Sequence, residues 1–283
     1  LILNPSLTQT KETDATMKKS ILLSGEFIYQ LFTLLLVVIF VHALYVGIIR
    51  PNADTFLAAQ AALLETDKSQ ITQRSFFVII RDYEQEICFI LLLWALSIIG
   101  FKMVSIFNQF ALLQRDLIYL PEDMRILPED AYDVARKIQA LPASQLRSLL
   151  PQALLAALQR FSTTRNIQDA ANATRAYCSS EAERLDSELS MIRYIAWAIP
   201  SVGFIGTVRG IGDALGQAHK AIEGDIFGVT QSLGVAFNST FVALLISIVL
   251  MFMVYQLQRM QERYILDAEA YCEEKLTRHL SVQ

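Results

Sequence analysis

The stretch 27–49 contains no Asp, Glu, Lys or Arg. A helix needs about 20 such residues to cross the hydrocarbon core of a bilayer, and in lipid only a helix or a closed barrel satisfies every backbone N–H and C=O. The run is therefore read as a membrane helix, closed by Arg50 and Pro51. Lys18 and Lys19 precede it as they would a secretory signal. Yet the run exceeds the roughly 7–15 apolar residues of such a signal and ends without a small-x-small cleavage site, so a retained helix is expected.

Three more stretches follow. Residues 87–107 are interrupted only by Lys102, whose long stem can lift its ammonium to the headgroups. Residues 194–218 are uncharged as far as Val208, and 226–258 carry no charge at all, enough to cross and continue beyond. A chain that is 53% apolar and 18% charged fits this reading rather than a soluble enzyme. With 24 Lys and Arg against 28 Asp and Glu there is no cationic excess for phosphates, which argues against nucleic acid as a partner. Cys88, Cys178 and Cys272 lie far apart, without disulfide or metal-ligand spacing, and read as packing residues; no metal and no cofactor is expected. His42, His219 and His279, without H-E-x-x-H or a nucleophile elbow, offer no catalytic constellation, so no enzyme is expected.

Orientation follows from Lys and Arg. The segment 108–193 holds Arg115, Arg125, Arg136, Lys137, Arg147, Arg160, Arg165, Arg175, Arg184 and Arg193, whereas the connection between the last two spans holds Lys220. Lys11, Lys18 and Lys19 at one end and Arg259, Arg263, Lys275 and Arg278 at the other place both termini in the cytoplasm. The expected fold is all-α and polytopic, with four crossings. It comprises a cytoplasmic segment 1–26, a hairpin 27–107 with an outward-facing connection 50–86, a cytoplasmic helical domain 108–193, a pair of spans 194–258 and a cytoplasmic helical tail 259–283. In the helical domain Leu146, Leu149, Leu150, Leu154 and Leu158 keep spacings of three and four, with Pro128, Pro142 and Pro151 as helix starts or breaks. In the tail Leu257, Met260, Tyr264, Ala268 and Tyr271 form one apolar stripe.

The last two spans differ from the first two. Gly206, Gly210, Ala214 and Ala218 recur every fourth position, Gly203 lies one turn before them, and Gly212 with Gly216 adds a second pair. Small ridges let helix backbones approach closely where lipid supplies no hydrophobic drive, so this helix expects a neighbour. In the fourth span Ser232, Ala236, Thr240, Ala243 and Ser247 share a small, hydroxyl-bearing face that suits a protein wall or water. Phe237, Phe241, Leu244, Ile248 and Phe252 form a large apolar one.

The run Ala198-Ile199-Pro200-Ser201-Val202-Gly203-Phe204-Ile205-Gly206-Thr207-Val208-Arg209-Gly210-Ile211 resembles the proline-led G-x-x-G-T-V-x-G-I signature of the MotA/TolQ/ExbB proton channel family. Gly234-Val235-Ala236-Phe237-Asn238-Ser239-Thr240 is similar to that family's element at the start of its last membrane helix. The resemblance covers about 187–258 and implies a multi-pass protein of the bacterial inner membrane. It implies that Thr207 and Thr240 line an ion path, and the small face read from the spacing, with Ser232, Ala236, Ala243 and Ser247, is expected on the pore side. Pro200 takes the place of the proline near the cytoplasmic end of the first channel helix, and Gly203, Gly206, Gly210 and Ala214 serve helix packing. It further implies a homopentameric ring around the single-span helices of an ExbD-, TolR- or MotB-like partner that supplies the ion-binding aspartate. The leading hairpin resembles that of flagellar stator subunits. Val235 stands where transport-energising members carry Glu, and 108–193 lacks a stator-like rotor-binding stretch.

The residues argue for a partner on their own terms. A threonine hydroxyl binds an ion or water but does not titrate near neutral pH, and the apolar runs of spans one, two and four lack Asp and Glu. Either the acid comes from another chain or Asp213 moves inward; the first is expected. Arg209 and Asp213, four apart on one helical face, read as a local ion pair or as an outer gate. His42 reads as a hydrogen-bonded packing residue. The competing class is a helical membrane scaffold or sensor without conduction, which has no need of the hydroxyls.

Overall fold

The structure, a computed structural model, describes residues 25–66, 75–115, 117, 125–222 and 226–282. Lys11, Lys18 and Lys19 lie outside the described residues.

The described chain is helical, with one isolated bridge between Ile126 and Leu280. Helix α1 (Gly25–Leu44) runs through a π-helical turn (Tyr45–Ile49) into α2 (Arg50–Thr66). The short α3 (Phe76–Ile79) precedes α4 (Tyr83–Leu113). Then come α5 (Ala131–Gln139), α6 (Ala143–Leu146), α7 (Leu149–Thr164), α8 (Ile167–Glu188), α9 (Ser190–Gly216), α10 (Ala218–Ile222) and α11 (Phe227–Lys275). Four helical stretches, Gly25–Gln60, Tyr83–Leu113, Ile167–Gly216 and Phe227–His279, are long and apolar enough to cross a membrane. The protein is an all-α, multi-pass membrane protein.

Two expected boundaries move. The first span does not close at Arg50 and Pro51: the N–H of Arg50 reaches back five residues to the carbonyl of Tyr45. The wider π turn admits the proline ring without ending the helix. The second span begins before its apolar run, because Tyr83, Glu84, Gln85 and Glu86 already belong to α4. Gln85 is N3 of that helix, and its Oε1 accepts from the N–H of Asp82 at 2.7 Å, one half of a capping box.

One compact unit comprises the residues up to Ile98 together with Ile195–Leu250. Within it α1 lies along α4: Tyr29 Oη and Ser97 Oγ share a hydrogen bond of 3.0 Å, and Trp94 Nε1 donates to the Gln30 carbonyl at 3.0 Å. Near the other end of the pair, Glu86 of α4 meets His42 and Arg50. Residue numbers therefore rise along one helix as they fall along the other, as an antiparallel hairpin requires. Phe32, Leu35, Ile39 and Phe40 of α1 point away from this packing and are exposed, as a lipid-facing or partner-facing stripe would be.

The second unit comprises Ile99–Tyr194 and Met251–Gln283. Leu149, Leu150, Leu154, Leu158 and Phe161 of α7 pack with Cys178 and Leu185 of α8 and with Tyr264, Ala268 and Cys272 of α11. Each fully buried Leu stabilises by roughly 1.5–3 kcal/mol. Helix α7 ends at Arg165 in the left-handed region (φ 51°), and Asn166 then caps α8 by accepting from the N–H of Gln168 at 2.9 Å. Lys102 departs from expectation. Its side chain is 5% exposed and Nζ donates to Glu188 Oε2 at 2.8 Å, so a carboxylate within the unit holds the ammonium and it does not rise to headgroups.

Candidate functional site

Helix α9 passes through Pro200 without a break. A proline has no N–H to give to the carbonyl four residues back, which orphans the Ala196 carbonyl in a place where water is scarce. Ser247 of α11 supplies the missing donor, its Oγ reaching Ala196 O at 3.2 Å. Pro200 and Ser247, assigned to separate tasks in the sequence, thus form one polar link between neighbouring helices.

From that link the two helices run antiparallel. A Cβ added at Gly206 would stand 2.5 Å from Ser239 Cβ, and one at Gly210 2.7 Å from the Ala236 backbone nitrogen; Gly203 is equally filled by Ala243. Ala236 and Ala243 are wholly buried in this seam and Ala214 nearly so. The small face of α11 therefore packs against α9 of the same chain instead of lining open space. Its members fall on the stripe that a close antiparallel neighbour covers. Ser232, at the far end, accepts from Gln217 Nε2 at 3.1 Å. Gly212 and Gly216 meet nothing within 4 Å, so the second small pair has no neighbour among the described residues.

Thr207 and Thr240 meet in this seam, their hydroxyls in direct hydrogen-bond contact. Thr207 Oγ1 also lies 3.1 Å from the Ala236 carbonyl and 3.3 Å from that of Gly203, and Thr240 Oγ1 lies 3.1 Å from the Gly203 carbonyl. Each hydroxyl has one proton to donate and two lone pairs. One of the two protons serves the bond between the hydroxyls and the other has a carbonyl acceptor, so oxygen lone pairs remain for a cation or a water. Both threonines are only partly buried, so the pair sits at the edge of the seam.

Beside the seam stands a charge cluster that the sequence reading missed. Glu84, Gln85 and Glu86, at the start of α4, are 8%, 0% and 6% exposed. Arg209 grips Glu84 with two contacts, Nε to Oε1 at 2.7 Å and Nη2 to Oε2 at 2.8 Å. The local pair expected between Arg209 and Asp213 does not form: Asp213 is exposed, and the arginine turns to the carboxylate from α4, which is removed from water and presents both oxygens. Glu86 is committed too, with His42 Nδ1 at 2.7 Å on Oε1 and the Arg50 guanidinium on Oε2. His42 is hydrogen-bonded, as expected, but its partner is an acid, and its side chain is 60% exposed and does not pack. Gln85 Nε2 donates to the Ile79 carbonyl at 3.0 Å and reaches Ser239 Oγ at 3.5 Å. Gly206 has a second reason to lack a side chain, since its Cβ would lie 3.1 Å from Glu84 Cγ. The only signal in the sequence was two glutamates directly before an apolar run, which looks the same as a solvated helix start.

Among the described residues no group of three or more His, Cys, Asp or Glu is placed to hold a metal ion. Residues 145–270, a little under half of the 283-residue chain, match the model of the MotA/TolQ/ExbB proton channel family. That segment contains α9, Thr207, Thr240 and most of α11. No curated protein and no solved structure matches the chain.

Proposed function

We propose that the chain is the channel-forming subunit of an inner-membrane motor. It conducts ions, protons in the first instance, and hands the energy of the gradient as mechanical work to a single-span partner of the ExbD, TolR or MotB kind. The observation that carries this reading is the hydroxyl pair Thr207–Thr240, shared between two antiparallel helices inside the segment that matches the channel family.

The acid that takes up the ion belongs to the partner. Hydroxyls do not titrate in the working range. The buried carboxylates beside them are both engaged, Glu84 by Arg209 and Glu86 by His42 and Arg50. An aspartate on a foreign helix, alternately charged and neutral as it passes the hydroxyls, completes the site. Copies of the chain form a ring, a homopentamer, around the partner's helices. Both termini and the segment 108–193 lie in the cytoplasm, a placement that the arginines of 108–193 support, and Arg209 and Asp213 stand at the outer mouth. One proton crossing 100 mV delivers about 2.3 kcal/mol, enough to bias one step of the partner.

The test is capture of the tagged chain from native membranes, followed by ion-driven proton uptake in vesicles carrying the captured complex. A single-span protein with an aspartate in its membrane helix is expected to co-purify. Thr207→Ala and Thr240→Ala are expected to keep it bound while abolishing most of the uptake. Unchanged uptake in both variants overturns the channel and favours a scaffold.

A further inference from the structure

The second unit contains a cavity of about 520 Å³ that none of the preceding roles uses. Ser105, Asn108, Gln109 and Arg115 of α4 and its end form one side, and Arg147 and Ser148 at the start of α7 belong to the other. Among the described residues no Asp or Glu lines it, and neither arginine side chain has an ion-pair partner. Ser148 is the N-cap of α7 but makes no side-chain cap bond, so its hydroxyl is unspent. Two guanidiniums without an ion-pair partner among the described residues, set beside serine hydroxyls, are what a phosphate ester requires.

The position of the cavity names the source of that phosphate. Its α4 residues begin where the apolar run of the second span ends at Phe107. Phe101 and Val104, four residues before Ser105 and Asn108 on the same helical face, are 44% and 62% exposed. An acyl chain laid along Phe101 and Val104 brings its headgroup to the arginines. Basic clefts at the membrane surface are suited to anionic lipid.

We propose that this cleft is a binding site for the phosphate-bearing headgroup of an anionic phospholipid, with Arg115 and Arg147 as the phosphate ligands. The site does not depend on ion conduction, since all of it lies in the second unit.

The test is native mass spectrometry of the delipidated full-length protein, titrated in parallel with phosphatidylglycerol, phosphatidylcholine and water-soluble glycerol phosphate. Phosphatidylglycerol is expected to be retained at least about tenfold more strongly than phosphatidylcholine. Arg115→Gln/Arg147→Gln is expected to remove that preference, since each lost charge-assisted contact is worth roughly tenfold. Arg165→Gln/Arg278→Gln, equal in charge change but outside the cleft, is expected to keep it. Binding of glycerol phosphate as tight as that of the lipid, lost in the same double variant, assigns the cleft to free phosphate esters and leaves the phosphate ligands standing. Phosphatidylglycerol retained equally by the cleft variant, or no preference in the unmodified protein, overturns the proposal. All variants replace exposed side chains, and unchanged helical content by circular dichroism is the control for folding.

Discussion

Glu84 and Arg209 stand 125 positions apart in the sequence and meet through two parallel N–H···O contacts of 2.7 and 2.8 Å. The pair ties the start of α4 to the last third of α9, and it does so across Gly206, where no side chain could be accommodated. It also keeps a guanidinium two residues from Thr207 electrically compensated. The hairpin that precedes α9 and α11 therefore does more than anchor the chain.

Removing one member of this pair strands the other. Glu84→Ala is expected to lower stability by about 1–2 kcal/mol, less than for a fully buried pair because the Arg209 side chain is 43% exposed. Arg209→Ala in the Glu84→Ala background is expected to add little or to recover part of the loss. Thermal unfolding in detergent, arranged as a double-mutant cycle, measures this. Additive losses would mean that the two side chains do not interact.

Pro200 and Ser247 make a sharper case, because the proline creates the need that the serine meets. Ser247→Ala should cost about 0.6–1.7 kcal/mol, the range for hydrogen bonds between membrane helices. In a Pro200→Ala background residue 200 regains its own N–H for the Ala196 carbonyl, and the same serine substitution should then cost next to nothing. Equal cost in both backgrounds would refute the link.

The seam between α9 and α11 separates two kinds of glycine. Gly206→Ala drives a methyl into Ser239 and should destabilise by about 1–3 kcal/mol, with weaker association of the two helices. Gly212→Ala enters open space and should be neutral, or stabilising by up to about 1 kcal/mol through helix propensity. Unfolding midpoints of the two variants, measured side by side, distinguish a packed seam from ordinary glycine content.

What the sequence discloses and what it conceals divide along a physical line. The four apolar runs, the ridge Gly206, Gly210 and Ala214, and the matching hydroxyls of Thr207 and Thr240 are legible, because helical period and bilayer thickness fix them locally. Glu84 and Glu86 are not: their partners lie 125, 44 and 36 positions away, and an acidic helix start looks the same whether solvated or buried. The rule for residues four apart assigns Arg209 to Asp213 for the same reason, since it sees only one helix. The continuation of α1 past Pro51 is hidden in a π turn that leaves no mark in composition.

Lys102 and Glu188 provide the test in the second unit. With 5% of its side chain exposed, Lys102 depends on the carboxylate 2.8 Å from Nζ, which also receives Arg184 Nη1 at 2.6 Å on its other oxygen. Glu188→Ala takes the anion from two cations at once, one of them buried, and is expected to cost about 3 kcal/mol. Lys102→Met keeps the stem's volume and removes the charge, leaving Glu188 with Arg184; its expected cost is below about 1.5 kcal/mol. If Lys102 instead extended to headgroups, the order would reverse: Glu188→Ala would be near neutral, and Lys102→Met would act through the membrane alone. Chemical denaturation of the purified protein, followed by circular dichroism for both variants, decides between the two arrangements.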